Sequence, residues 1–122
     1  MDSIELKNRT KKFAVDIINL SSTIPSTFAN NINTKQLIRS ATSVGANYRA
    51  ELRGKSDPDF LYKINIVQEE ADESIYWIEL LTETNIIEIN EINELKKEAN
   101  ELTSIFTAIL KTLKSKNLKQ KI

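Results

Sequence analysis

Apolar residues recur at three- and four-residue steps along most of the chain, which is the period of amphipathic helices and not of strands. Leu6, Thr10, Phe13, Ile17, Leu20 and Ile24 mark a first stripe, with Asp2 and Glu5 spaced as a capping box before it. Leu37, Ala41, Val44, Tyr48 and Leu52 mark a second. Phe60, Ile64, Val67, Ala71, Ser74 or Ile75, Ile78 and Leu81 mark a third. The fourth is the most regular: Ile92, Leu95, Ala99, Leu102, Phe106, Ile109 and Leu113. Boundary signals fall between the stripes. Pro25 disfavours helical geometry at Ile24, Gly54 supplies a left-handed stop, and Ser56-Asp57-Pro58-Asp59 combines a capping side chain, a first-turn proline and a carboxylate suited to the helix dipole. The pattern predicts helices over about 3–22, 34–53, 58–85 and 90–114. A polar loop through Asn30, Asn31 and Asn33 precedes the second helix, and a frayed basic tail covers 115–122.

Four long helices with mostly short connections predict a single all-α domain, an up-down-up-down antiparallel four-helix bundle. Composition agrees: 122 residues suit one domain, and two glycines with two prolines leave little material for hairpin turns. The chain holds no cysteine and no histidine, which excludes disulfides, thiolate nucleophiles, histidine-based triads and the usual zinc sites. No apolar signal core and no apolar run of membrane-spanning length occurs, so a cytoplasmic protein with no membrane partner is expected.

The second helix carries more chemistry than a structural helix requires. Beside its apolar stripe runs a small-polar one, Gln36, Ser40, Ser43, Asn47 and Glu51, while Ala41, Ser43, Gly45 and Ala46 permit close approach of another backbone. Charge is segregated as well: net +5 over residues 1–55, −10 over 56–110 and +5 over 111–122, within a total of +0. Antiparallel pairing about residues 54–57 sets Asn47 opposite about Ile64, Ser43 opposite Gln68, and Arg39 opposite Asp72 or Glu73. A structural polar seam is thereby predicted from Arg39, Ser43, Asn47, Glu51, Gln68, Glu70, Asp72 and Glu73. In it Arg39 is an internal cation paired with Asp72, Glu73 or Glu69.

RSATSVGANYRAE in the second helix and QEEADESIYWIELL in the third resemble the four-helix-bundle family of proteins encoded in intervening sequences of large-subunit ribosomal RNA genes. That family is related to accessory proteins of diversity-generating retroelements. The resemblance runs from Phe13 to about Leu113 and includes Gln36, Arg39, Ser40, Ser43, Asn47 and Glu51, then Phe60, Glu70, Glu73, Ser74 and Trp77. It implies a left-handed antiparallel bundle and, as in several relatives, a ring-shaped homopentamer. Leu52-Arg53-Gly54 departs from the family, where glycine often follows the glutamate directly. The retroelement proteins are basic and associate with nucleic acid and a reverse transcriptase, whereas this chain is neutral.

Three constellations bear on function. Glu69, Glu70, Asp72, Glu73, Glu79 and Glu83 form a dense carboxylate array, but di-metal bundle sites use a Glu-x-x-His element that the chain lacks, so salt bridging is favoured and no metal or cofactor is expected. Trp77, beside Tyr76, flanks the core stripe and suits a subunit interface or ordinary core. Lys35, Arg49, Arg53 and Lys55, extended by Lys111, Lys114, Lys116, Lys119 and Lys121, form a candidate phosphate-binding strip. The leading expectation is a non-enzymatic, oligomeric helical-bundle adaptor, partnered by copies of itself and weakly by RNA or a nucleic-acid enzyme. The alternative is a carboxylate-rich metal-dependent or ligand-binding bundle.

Overall fold

A computed structural model describes residues 1–52, 57–85 and 89–121, with side chains described for 1–50, 52, 58–85 and 90–116. The chain forms four helices: α1 (Ser3–Ser21), α2 (Phe28–Glu51), α3 (Asp57–Thr84) and α4 (Ile89–Lys121). No strand occurs among the described residues. The helices form a four-helix bundle in which α2 packs on α1 and α3, and α4 packs on α3 and α1.

Local chemistry sets the helix starts. Asp2 accepts a hydrogen bond from the Glu5 amide at 2.8 Å and caps α1. α2 starts at Phe28, earlier than its apolar stripe suggests. Thr27 caps it, accepting from the Asn30 amide at 3.1 Å. The asparagine-rich segment expected as a loop is therefore the first part of a helix, and the connection from α1 is correspondingly short. Asparagine is a poor helix former because its side chain competes for backbone groups. Here Asn30 uses that side chain outward, donating to the Pro25 carbonyl at 3.0 Å and to Asn85 at 2.8 Å. Asn85 returns a bond to Asn30 at 3.0 Å, so a reciprocal amide pair ties the start of α2 to the end of α3.

α4 also differs from expectation, running to Lys121 through the segment read as a frayed tail. Lysine, leucine and glutamine are good helix formers, and neither glycine nor proline interrupts them. The proposed stop at Gly54 and cap at Ser56 lie outside the described residues.

The apolar stripes converge on one core. Phe13, Ile17, Leu37, Val44, Ile64, Val67, Ile78, Leu81, Leu102 and Phe106 are fully buried, and each large side chain removed from water contributes about 1.5–3 kcal/mol. Tyr48 of α2 meets Phe106 of α4 edge to face at 5.4 Å across the centre. Small residues set the spacing at two seams. Ser40 and Ser74 are completely buried, their hydroxyls 2.9 Å apart between α2 and α3. Gly45 lies against Thr10 of α1, where an added Cβ would stand 3.4 Å from the threonine carbonyl and hydroxyl.

Candidate functional site

The α2/α3 seam carries a compact ion cluster. Arg39 donates to both carboxylate oxygens of Glu70 at 3.3 and 3.1 Å and also pairs with Glu73, while its Nε bonds to Gln36 at 3.0 Å. Beneath the cluster, Ser40 bonds to the Leu37 carbonyl at 3.1 Å and Ser74 to the Glu70 carbonyl at 2.9 Å, so both buried hydroxyls are satisfied. Partial burial lifts the Glu70 carboxyl above its ordinary range, against the opposing pull of Arg39 and with the help of neighbouring Glu73.

The seam is narrower and more exposed than the sequence suggests. Arg39 is 44% exposed, so it is a rim cation and not an internal one. Asp72 points to solvent, because it is one residue from Glu73 and hence about 100° away round the helix. Asn47 bonds within α2 to the Ser43 carbonyl at 2.9 Å, and Ser43 is half-buried beside it. Gln68 turns away from α2 and reaches Thr107 of α4 at 3.4 Å. The Glu51 side chain lies outside the described residues. Glu69 accepts from Asn65 at 2.9 Å, a bond within α3.

A second ion cluster, across α1 and α4, was missed in the sequence. Arg9 makes a bidentate contact with Glu98 at 2.6 and 2.5 Å and also pairs with Glu101. These glutamates raise the guanidinium pKa further above its already high value. The available signal was the three-residue spacing of Glu98 and Glu101, which puts both on one face of α4, but nothing in that spacing names their cation. Lys96 pairs likewise with Glu79 at 3.3 Å between α4 and α3.

The candidate phosphate-binding residues are not gathered into one strip. Lys35 and Arg49 are exposed on α2, about 21 Å apart along its axis at 1.5 Å per residue. Lys111, Lys114 and Lys116 are exposed on α4. Arg53 and Lys55 lie outside the described residues, as do the side chains of Lys119 and Lys121. Arg49 does have basic company, from α1. With Lys7 and Lys11 of α1 it lines a groove of about 400 Å³ between α1 and α2, floored by Ala14, Gly45 and Ala46.

Trp77 is half-buried against the core, in edge contact with the exposed Tyr76 at 5.0 Å. Its indole Nε1 is buried without a hydrogen-bond partner among the described residues. No group of three or more carboxylates among the described residues is arranged to hold a metal ion. No described helix is long and apolar enough to cross a membrane.

Comparison with known proteins places this architecture. The profile of a family described as "23S rRNA-intervening sequence protein" matches residues 2–108. A crystal structure from Bacteroides thetaiotaomicron VPI-5482, described as a protein with unknown function from the S23 ribosomal protein family, superposes with a TM-score of 0.81 at 33% identity. That match covers 91% of this chain and 99% of the other. No curated protein matches the chain.

Proposed function

This chain belongs to the 23S rRNA-intervening sequence protein family, and on that premise we propose that it is a non-enzymatic, cytoplasmic helical-bundle adaptor that assembles with copies of itself and associates weakly with RNA. The observation that carries the non-enzymatic part is how its polar side chains are used. Arg39 with Glu70 and Glu73, and Arg9 with Glu98 and Glu101, pair with each other between helices at the bundle rim. Groups neutralised in this way fix helix register and leave little free acid or base for chemistry.

An antiparallel, up-down-up-down course is supported by contacts that advance along one helix while retreating along the next. On α2 and α3 these are Asn30 with Asn85 and Ser40 with Ser74. On α3 and α4 they are Gln68 with Thr107 and Glu79 with Lys96. The left-handed sense and the ring-shaped homopentamer rest on the family resemblance. Assembly is further supported by the Tyr76–Trp77 pair at the surface of α3 and by the segregation of acidic and basic segments, since a ring repeats one heterologous contact until it closes. RNA as the partner class rests on the family resemblance to nucleic-acid-associated retroelement proteins and on the exposed cations of α2 and α4, Lys35, Arg49, Lys111, Lys114 and Lys116.

Light scattering behind size exclusion tests the assembly: a mass about five times 13.9 kDa is expected across micromolar concentrations, and a mass near 13.9 kDa throughout overturns it.

A further inference from the structure

The groove between α1 and α2 stands apart from the other charged features of the bundle. Lys7 and Lys11 lie one helical turn apart on α1, and Arg49 faces them from α2. Among the described residues none of the three has a carboxylate partner and none of the groove's lining residues is acidic. The neighbouring groove between α1 and α4 is different, since there Lys12 and Lys97 are interleaved with Asp16, Glu94 and Glu98. Three like charges converging on one concavity repel one another, and folding gains nothing from gathering them.

We propose that this groove binds the phosphodiester backbone of RNA. The inference rests on the RNA association proposed above and gives it a location. The guanidinium of Arg49 presents a planar fork that matches a phosphate, and the two lysines add compact point charges along a line parallel to α1. Asn8, also on the groove wall, has no hydrogen bond within the protein among the described residues, which leaves its amide available to a phosphate or sugar oxygen. Ala14, Gly45 and Ala46 are small, which leaves room between the cations for a nucleic-acid backbone to seat. A recessed basic channel between two helices fits a ridge of successive phosphates better than it fits the plane of a membrane.

The test is fluorescence anisotropy on the full chain, with labelled single-stranded and hairpin RNA at two salt concentrations. The groove is altered in two independent ways: a triple variant Lys7→Gln, Lys11→Gln, Arg49→Gln, and Ala46→Glu, which adds a carboxylate at an exposed position. Circular dichroism and light scattering confirm that each variant keeps the parental fold and mass. The expected result is binding by the parent, weakened about tenfold or more in both variants, with the salt dependence of log K shallower by about 2 in the triple variant. A control pair in the neighbouring groove, Lys12→Gln with Lys97→Gln, should lose much less. Parental RNA binding that persists in both variants overturns the groove while leaving RNA association intact. Absence of RNA binding by the parent at low salt overturns both, as does binding confined to vesicles containing phosphatidylserine.

Discussion

Arg39 and Arg49 lie on the same helix ten residues apart, which at about 100° per residue turns them to different neighbours, α3 and α1. Arg39 meets two glutamates and a glutamine and closes a seam whose floor is a pair of buried serines. Arg49 shares a groove with two lysines of α1. The first arrangement satisfies every group it gathers and contributes register to the bundle. The second gathers charge that no carboxylate among the described residues neutralises. The comparison teaches that basic content alone does not mark a binding surface, since half of this pair is consumed by architecture.

Packing gives the sharpest contrast between the two sides of α2. Ser40→Leu inserts a large side chain where Ser74 stands 2.9 Å away with no solvent-exposed route for relief, and overpacking of this kind costs about 1–3 kcal/mol or more. Ala46→Leu, on the exposed floor of the groove, should change stability by less than about 0.5 kcal/mol. Urea unfolding of the two variants measures the difference, and equal losses would erase the distinction between a packed seam and an open groove.

Charge removal should separate the sides by a smaller margin. Arg39→Leu is expected to cost about 1 kcal/mol, the upper end for exposed ion pairs, because the guanidinium is 44% exposed but holds two carboxylates and an amide at once. The larger loss typical of a buried pair does not apply at that exposure. Arg49→Leu should leave stability unchanged within about 0.5 kcal/mol, or raise it slightly by relieving repulsion from Lys7 and Lys11. Thermal melts at matched pH and salt decide, and a destabilised Arg49 variant would show that this arginine too is structural.

The smallest effect is a proton. Burial raises the folded-state pKa of Glu70 above 4.5. A carboxylate whose folded pKa exceeds its unfolded value binds protons more readily in the native state, so its contribution to stability grows as pH falls from neutrality through the raised value toward 4.5. Carboxyl carbon NMR should place the Glu70 midpoint above 4.5, and higher still in the Arg39→Leu variant, where the opposing pull is gone. A midpoint below 4.5 would mean that the ion pair dominates burial and that the seam is tighter than its exposure suggests.

Family, helical class and the number of helices were legible because each rests on local periodicity. The stripe from Ile92 to Leu113 specifies a helix whatever packs against it, and the segments around Arg39 and Glu70 carry the resemblance that the family match bears out. The start of α2 was less legible. Asn30 and Asn31 have low intrinsic helix preference, and it is offset by the Thr27 cap, by the Asn30 bond to Pro25 and by the reciprocal bond between Asn30 and Asn85, distant in sequence. The reach of α4 to Lys121 was less legible for the opposite reason: the segment beyond Leu113 has little apolar surface to bury, yet its residues favour helix.

The sequence by itself determined which faces of which helices are apolar, because a 3.6-residue period is a property of each helix alone. It also determined that histidine and cysteine chemistry is closed to this chain. Tertiary structure decided which charges meet. Glu98 and Glu101 find Arg9, Glu70 and Glu73 find Arg39, and Lys7, Lys11 and Arg49 share a groove with no carboxylate among its described lining residues. Those pairings depend on the rotation and spacing of neighbouring helices, and several cations in the sequence were equally eligible for each carboxylate. Coulombic partnership acts over a few ångströms across helix seams, so the division between charges that hold the fold and charges left to bind something else emerges only when the four helices are placed together.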